Sequence, residues 1–204
     1  MMRASVFASL GLLGGCISLL PEPPPPPRLY VLEAGEVAPA QGAPVDAVIA
    51  IAAPSGERTL LGADLIWRTD DQLAYVGQSQ WSSRAEAALQ SMLVETLTRQ
   101  RRFAAATRIG EARGDYELRW EVLDFEVSDA SMQARFVADV KLVALPGRRI
   151  VAQQIIETEA PVAERTSSAA SQALARAARE GSARIGMFAA DNAVAQASAA
   201  SINR

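Results

Sequence analysis

Between Tyr116 and Thr158 the chain repeats with a period of two, and that repeat limits the fold more than any other feature. In Tyr116-Glu117-Leu118-Arg119-Trp120-Glu121-Val122, apolar side chains hold the even positions and charged ones the odd. Successive side chains of a β-strand point to opposite faces, so this run is a strand with one dry face and one wet face. The phase inverts at Val122-Leu123, after which Leu123, Phe125 and Val127 alternate with Asp124 and Glu126. A one-residue slip would turn every apolar side chain into water, so a β-bulge near 122–123 is expected to absorb the inversion. Met132 to Leu145 alternates again through Ala134, Phe136, Ala138, Val140 and Leu142. Pro146-Gly147 makes a turn, and Ile150 to Thr158 returns as a third long strand. The three read as an antiparallel meander.

A sheet with one dry face needs a cover. Two segments have the period to supply it. Ser83-Arg84-Ala85-Glu86 matches a capping box, in which the Ser bonds forward and the Glu back. Ala85, Leu89, Met92, Leu93, Thr96 and Leu97 follow at helical spacing, predicting a helix from Ser83 to Arg101. Arg99, Arg101 and Arg102 fall where cations favour the negative helix end, with a lipid or nucleic-acid patch as the other reading. A second helix is predicted from about Thr166 to Ala190, with Leu174, Ala177, Ala178, Gly181, Ile185 and Phe188 on one face. Gly181 and Gly186 weaken it by about 1 kcal/mol each relative to Ala, and small residues there permit close approach to a sheet or to another subunit. Upstream, Arg28 to Leu32 reads as a strand, Gly35 to Pro44 as a loop, and Val48 to Ile51 as a short strand closed by Pro54-Ser55-Gly56. Leu65 to Arg68 and Leu73 to Val76 flank Thr69-Asp70-Asp71-Gln72 as a hairpin. The expected class is α+β: an antiparallel sheet of several strands packed against two helices, spanning residues 28–204.

The N-terminal segment is of a different kind. After Arg3, Ala4 to Leu13 is apolar or small, the length of a signal-peptide core and too short for the roughly 20 residues a bilayer-spanning helix needs. It ends Leu13-Gly14-Gly15-Cys16, which resembles a bacterial lipobox. On that reading residues 1–15 are a signal peptide, and Cys16 is lipidated and becomes the mature N-terminus. The other reading is an unlipidated signal peptide with an incidental Cys. Each buried methylene contributes about 0.8 kcal/mol, so several acyl chains would anchor the chain firmly. Ile17 stands where an Asp would retain a Gram-negative lipoprotein at the inner membrane, which favours the periplasmic face of the outer membrane. Pro21-Glu22 and the five prolines Pro23 to Pro27 complete a tether over residues 16–27. Proline fixes φ and donates no backbone hydrogen bond, so the tract is expected as an extended spacer, with a ligand for a polyproline-binding groove as the competing reading.

Composition excludes more than it suggests. The chain has no His and one Cys among its 204 residues, so the commonest metal ligand and general base are missing and an internal disulfide is impossible. A net charge of −3 argues against a nucleic-acid partner. Gly181-Ser182-Ala183-Arg184-Ile185-Gly186 lacks the ending of a phosphate-binding loop, and Gly77-Gln78-Ser79-Gln80 lacks the second Gly of a nucleophile elbow. Asp70-Asp71 and Glu157/Glu159 read as turn residues and a solvated strand face rather than a cation site. Trp67, Tyr75, Trp81 and Trp120 read as core before apolar cleft. No catalytic residue, cofactor or metal is expected.

The order of the pieces resembles the ABC-type transport auxiliary lipoprotein family, which includes PqiC/YmbA-like proteins. The resemblance rests on the lipobox and Pro tract leading into Arg28-Leu29-Tyr30-Val31-Leu32, then Ile49-Ala50-Ile51-Ala52-Ala53-Pro54, Leu73-Ala74-Tyr75 and Gln80-Trp81. A helix carrying Leu89, Leu93 and Leu97 follows and ends at Arg102-Phe103, then come Tyr116-Glu117-Leu118 and Asp124-Phe125-Glu126. The last helix is entered through Ala160-Pro161-Val162, and Met187-Phe188 stands where the family pattern has a Trp. The resemblance implies a non-enzymatic, acyl-anchored periplasmic partner of an MCE-type ABC transporter. Such systems combine an ATPase, a permease and a substrate-binding MCE-domain protein, and move phospholipids or other hydrophobic molecules between membranes. The implied partners are that MCE-domain protein and, through acylated Cys16, the membrane. A homo-oligomer stays open. Other outer-membrane assembly roles, a lipopolysaccharide-transport plug or a secretin pilot, fit the same composition.

Overall fold

The computed structural model describes residues 25–145 and 147–202, with side chains up to residue 196. The Leu13 to Cys16 lipobox, Ile17, the first part of the proline tract and Pro146 lie outside the described residues. Pro25 to Pro27 are exposed and lead directly into the first strand.

The elements in chain order are β1 (Arg28–Tyr30), β2 (Val45–Ile51), β3 (Ser55–Gly56), β4 (Asp64–Thr69), β5 (Gln72–Trp81), α1 (Ala85–Gln100), β6 (Phe103–Arg108), β7 (Tyr116–Ser128), β8 (Gln133–Ala144), β9 (Arg149–Pro161) and α2 (Ser167–Ile202). The long strand β7 is the hub. On one side β8 pairs with it antiparallel along its whole length, and β9 pairs with β8. The meander therefore stands as its period required. Val122 faces Ala138 and Asp124 faces Val137, which leaves Leu123 as the bulged residue at the phase inversion.

The other side of β7 is shared between three strands, all parallel to it: β2 at Tyr116–Leu118, β3 at Glu121–Val122 and β4 at Val127–Ser128. Outside β2 lies β6, parallel; outside β4 lies β5, antiparallel; outside β5 lies β1, parallel. The class is α+β as expected, but the sheet is mixed where a wholly antiparallel one was expected. The reason is the length of the connections: tight turns join only β4 to β5 and β7 to β8 to β9, and those pairs are antiparallel, whereas β7 meets β2, β3 and β4, and β6 meets β2, only after long intervening stretches that include α1. β6 has no signal of its own: Ala104-Ala105-Ala106 carries little strand preference, and the strand forms because β2 offers it an edge.

Both helices cover one face of this sheet. One cluster of buried side chains joins Leu89, Met92, Leu93 and Leu97 of α1 and Leu174, Ala177 and Ile185 of α2 to Ile49, Leu65, Leu118, Phe125, Phe136 and Val140 of the strands. At its centre Trp81 stacks on Phe125 at 5.9 Å, Phe125 meets Phe136 edge-on at 6.2 Å, and Trp120 lies 6.5 Å from Phe136. Trp81 and Trp120 are thus core, as their default reading has it. The small-residue face of α2 lies directly on β8 and β9, where Thr158 Oγ1 donates to the Ala177 carbonyl at 2.7 Å.

The two helix ends depart from expectation. The Ser83–Glu86 capping box does not form: Arg84 is the N-cap residue and no side chain caps the helix. Instead the Ala85 and Glu86 amides donate to the Gly62 and Leu61 carbonyls at 2.7 and 3.3 Å. At the other end Arg101 takes the left-handed conformation that closes the helix. Arg102 is buried: Nη1 donates to Gln41 O at 2.7 Å, Nε to Ala43 O at 2.9 Å, and Nη2 to Asp191 at 3.0 Å. It ties the long loop after β1 to α2, whereas Arg99, paired with Glu95 and bonded to Gly35 O, and Arg101 are exposed surface charges.

Candidate docking surface

The face of the sheet turned away from the helices carries the charged positions of the alternating strands. Register decides their neighbours. Arg135 of β8 lies between Glu126 of β7 and Glu159 of β9, Asp139 between Glu121 and Ile155, and Lys141 between Arg119 and Gln153. Arg135 reaches Asp124 and Glu159 at 3.3 Å each and also bonds Glu157. Its guanidinium pKa is raised, first by the Glu157 hydrogen bond. Lys141 Nζ donates to Asp139 at 2.8 Å and Gln153 donates to the same carboxylate at 2.8 Å. That ammonium hydrogen bond is the main reason the Asp139 carboxyl is held below the usual carboxylate range. Glu126 is buried and bound in a fork by Arg68 of β4, whose Nη2 donates at 3.0 Å, and this bond raises the Arg68 pKa. Arg119 pairs with the buried Glu117 at 2.5 Å, and Arg148 from the β8–β9 turn approaches Glu117 at 3.9 Å.

The same face holds most of the exposed apolar side chains. Arg68 and Ile66 share a side of β4, so their β5 partners Leu73 and Tyr75 share it too. Leu29 of β1, the bulged Leu123, Ile150 and Ile155 complete the set. These are six of the nine large apolar side chains exposed among the described residues, and Ile155 and Tyr75 are more than 60% exposed. A shallow hollow of about 420 Å³ lies between Ile109 and the Glu117, Arg119, Asp139 and Lys141 side chains. Among the described residues no group of three or more His, Cys, Asp or Glu side chains is placed to hold a metal ion. Asp70 and Asp71 are hairpin-turn residues, and Glu157 and Glu159 serve Arg135. Cys16, the lipidation candidate, lies outside the described residues. The face thus sets exposed apolar side chains among charges that are mostly held in pairs.

A family model described as "ABC-type transport auxiliary lipoprotein component" matches residues 30–186, from β1 through the middle of α2. The chain belongs to that family. Strands β2 to β9 lie within the match, which begins at the last residue of β1, while Met187-Phe188, the departure noted in the last helix, lies just beyond it. No curated protein matches the chain. Among solved structures the auxiliary lipoprotein is similar to a Xanthomonas campestris protein of the family labelled DUF330. The two share 22% identity over 83% of this chain and 98% of that one, with a TM-score of 0.78. A second solved structure, of an uncharacterized protein, shares 14% identity over 80% of this chain and 99% of that one, with a TM-score of 0.65. At these identities the likeness speaks for the fold.

Proposed function

We propose that this auxiliary lipoprotein is the outer-membrane component of an MCE-type ABC transporter that moves phospholipids or similar hydrophobic molecules between membranes. Cys16 carries the acyl chains that hold it on the periplasmic face, residues 17–27 space the domain from the headgroups, and the α+β domain engages the substrate-binding MCE component. It works without making or breaking bonds: the sequence has no His to serve as a general base, and most charged side chains of the open face pair with one another. The observation that carries the reading is the family match from residue 30 to residue 186, which covers most of the core and of the open sheet face.

Genetic epistasis tests it. Deleting this gene and deleting the MCE gene should each raise outer-membrane permeability to the same extent, and the double deletion should be no worse than either. Additive defects would place the two proteins in separate processes. A defect shared instead with a secretin or a lipopolysaccharide-export barrel would replace this reading with another assembly role.

A further inference from the structure

We propose that the open face of the sheet is the docking surface, and that its occupant is a basic, partly apolar protein surface on the transporter's periplasmic component; this rests on the function proposed above. The face carries seven carboxylates (Glu117, Glu121, Asp124, Glu126, Asp139, Glu157 and Glu159) against five cations (Arg68, Arg119, Arg135, Lys141 and Arg148). Four of the cations hold a carboxylate in a close pair, Arg135 touching three at once, and Arg148 approaches Glu117 at 3.9 Å. The carboxylates outnumber them. Glu121 is exposed, and the side chains of Glu157 and Glu159 are 52% and 49% exposed. What the face can still accept is positive charge, and complementary charge both steers an encounter and fixes its register.

Size and texture fit a protein. Six strands, β9-β8-β7-β4-β5-β1, at about 4.8 Å spacing give a width of roughly 24 Å, and at about 3.3 Å per residue their unequal lengths give an area on the order of 900 Å², close to one side of a standard interface. Leu29, Leu73, Tyr75, Leu123, Ile150 and Ile155 place exposed apolar side chains on four of its strands, β1, β5, β7 and β9. A second copy is disfavoured, because two such faces would bring like charges together. A bilayer is disfavoured as well: burying Ile155 in lipid would drag in Asp139 beside it in the register, and anionic headgroups repel the surplus carboxylates.

Site-specific photocrosslinking in the acylated full-length chain decides it. A photoreactive residue replaces Ile155 or Tyr75 on the face, and Met187 or Thr98 on the helical layer as controls. The expected result is an adduct to the MCE component from Ile155 and Tyr75 only, through a peptide containing Lys or Arg, reduced about tenfold by Glu121→Lys and Glu159→Lys at unchanged melting temperature. Adducts to the MCE component from the control sites alone would overturn the surface and leave the proposed function standing. A second copy or lipid captured at Ile155, or indifference to the charge reversals, would overturn the stated occupant. Adducts to no transport component from any site would remove the proposed function as well.

Discussion

Gly181 is the tightest contact between the helical layer and the sheet: a Cβ there would lie 2.3 Å from Phe136 Cδ1, and Phe136 is fully buried against Phe125 and Trp120. An aromatic ring wedged on two sides cannot retreat. Gly181→Ala should therefore lower stability by about 1–3 kcal/mol, although Ala is the better helix former by about 1 kcal/mol. Gly186 is the internal control. Its added Cβ meets the end of the flexible Gln100 side chain, whose Oε1 has no hydrogen-bond partner and whose Nε2 donates to the Ala183 carbonyl at 2.9 Å, so the amide makes room by loosening that one bond. Gly186→Ala should stay within about 1 kcal/mol of wild type, the helix gain offsetting the adjustment. Urea unfolding midpoints of the two variants check the contrast. Asp139 gives a pH prediction at the same scale. Its carboxyl is held below its ordinary value by Lys141, so its contribution is intact above the unfolded pKa of about 3.9 and is lost as pH falls through the lower folded value. The pair is partly exposed, so Lys141→Met should cost at most about 1 kcal/mol at neutral pH. The deficit should shrink as pH falls below about 4, which acid unfolding curves of the two proteins would show.

At the scale of elements, α1 shows a neighbouring loop taking over a task that the local sequence advertises. Ser83 and Glu86 have the spacing of a capping box, yet the Leu61 and Gly62 carbonyls reach the first amides instead. Ser83→Ala should then change the melting temperature little, corresponding to less than about 0.5 kcal/mol, against the roughly 1 kcal/mol of a working cap. A full cap's loss in thermal unfolding would contradict the assignment. The same contrast marks what could be read from residues alone. The meander, the bulge at Leu123, the Thr69–Gln72 hairpin turn and both helices are encoded in period and punctuation, which are local. The parallel partners of β7 are not, because a period of two says which face a side chain takes and nothing about which strand lies beside it. The candidate surface divides in the same way. Charges at Glu117, Arg119 and Glu121 announce a wet face, but the Arg68–Glu126 fork spans 58 positions and needs the β4–β7 register to exist. Arg102 misleads for a related reason: at a helix end it reads as a surface cation, and only the loop folding back over it buries it.

For the whole molecule, the proposed acyl anchor at Cys16 and the fold are separable. The buried cluster runs from Leu32 to Ala193 and, among the described residues, draws nothing from those before β1. Cys16→Ser should release the protein from membranes into the soluble periplasmic fraction with its melting temperature unchanged, since about 0.8 kcal/mol per buried methylene is lost only at the membrane. A variant that still sediments with the outer membrane would show that the acyl chains are not what localises it. The central claim is that the domain acts by holding another protein, and co-purification tests it most directly. Tagged, acylated chain extracted from membranes in mild detergent is predicted to bring down the MCE component in a stable ratio, with the permease and ATPase behind it. Recovery of the chain alone, or with a secretin or export barrel in place of the MCE component, would contradict the account.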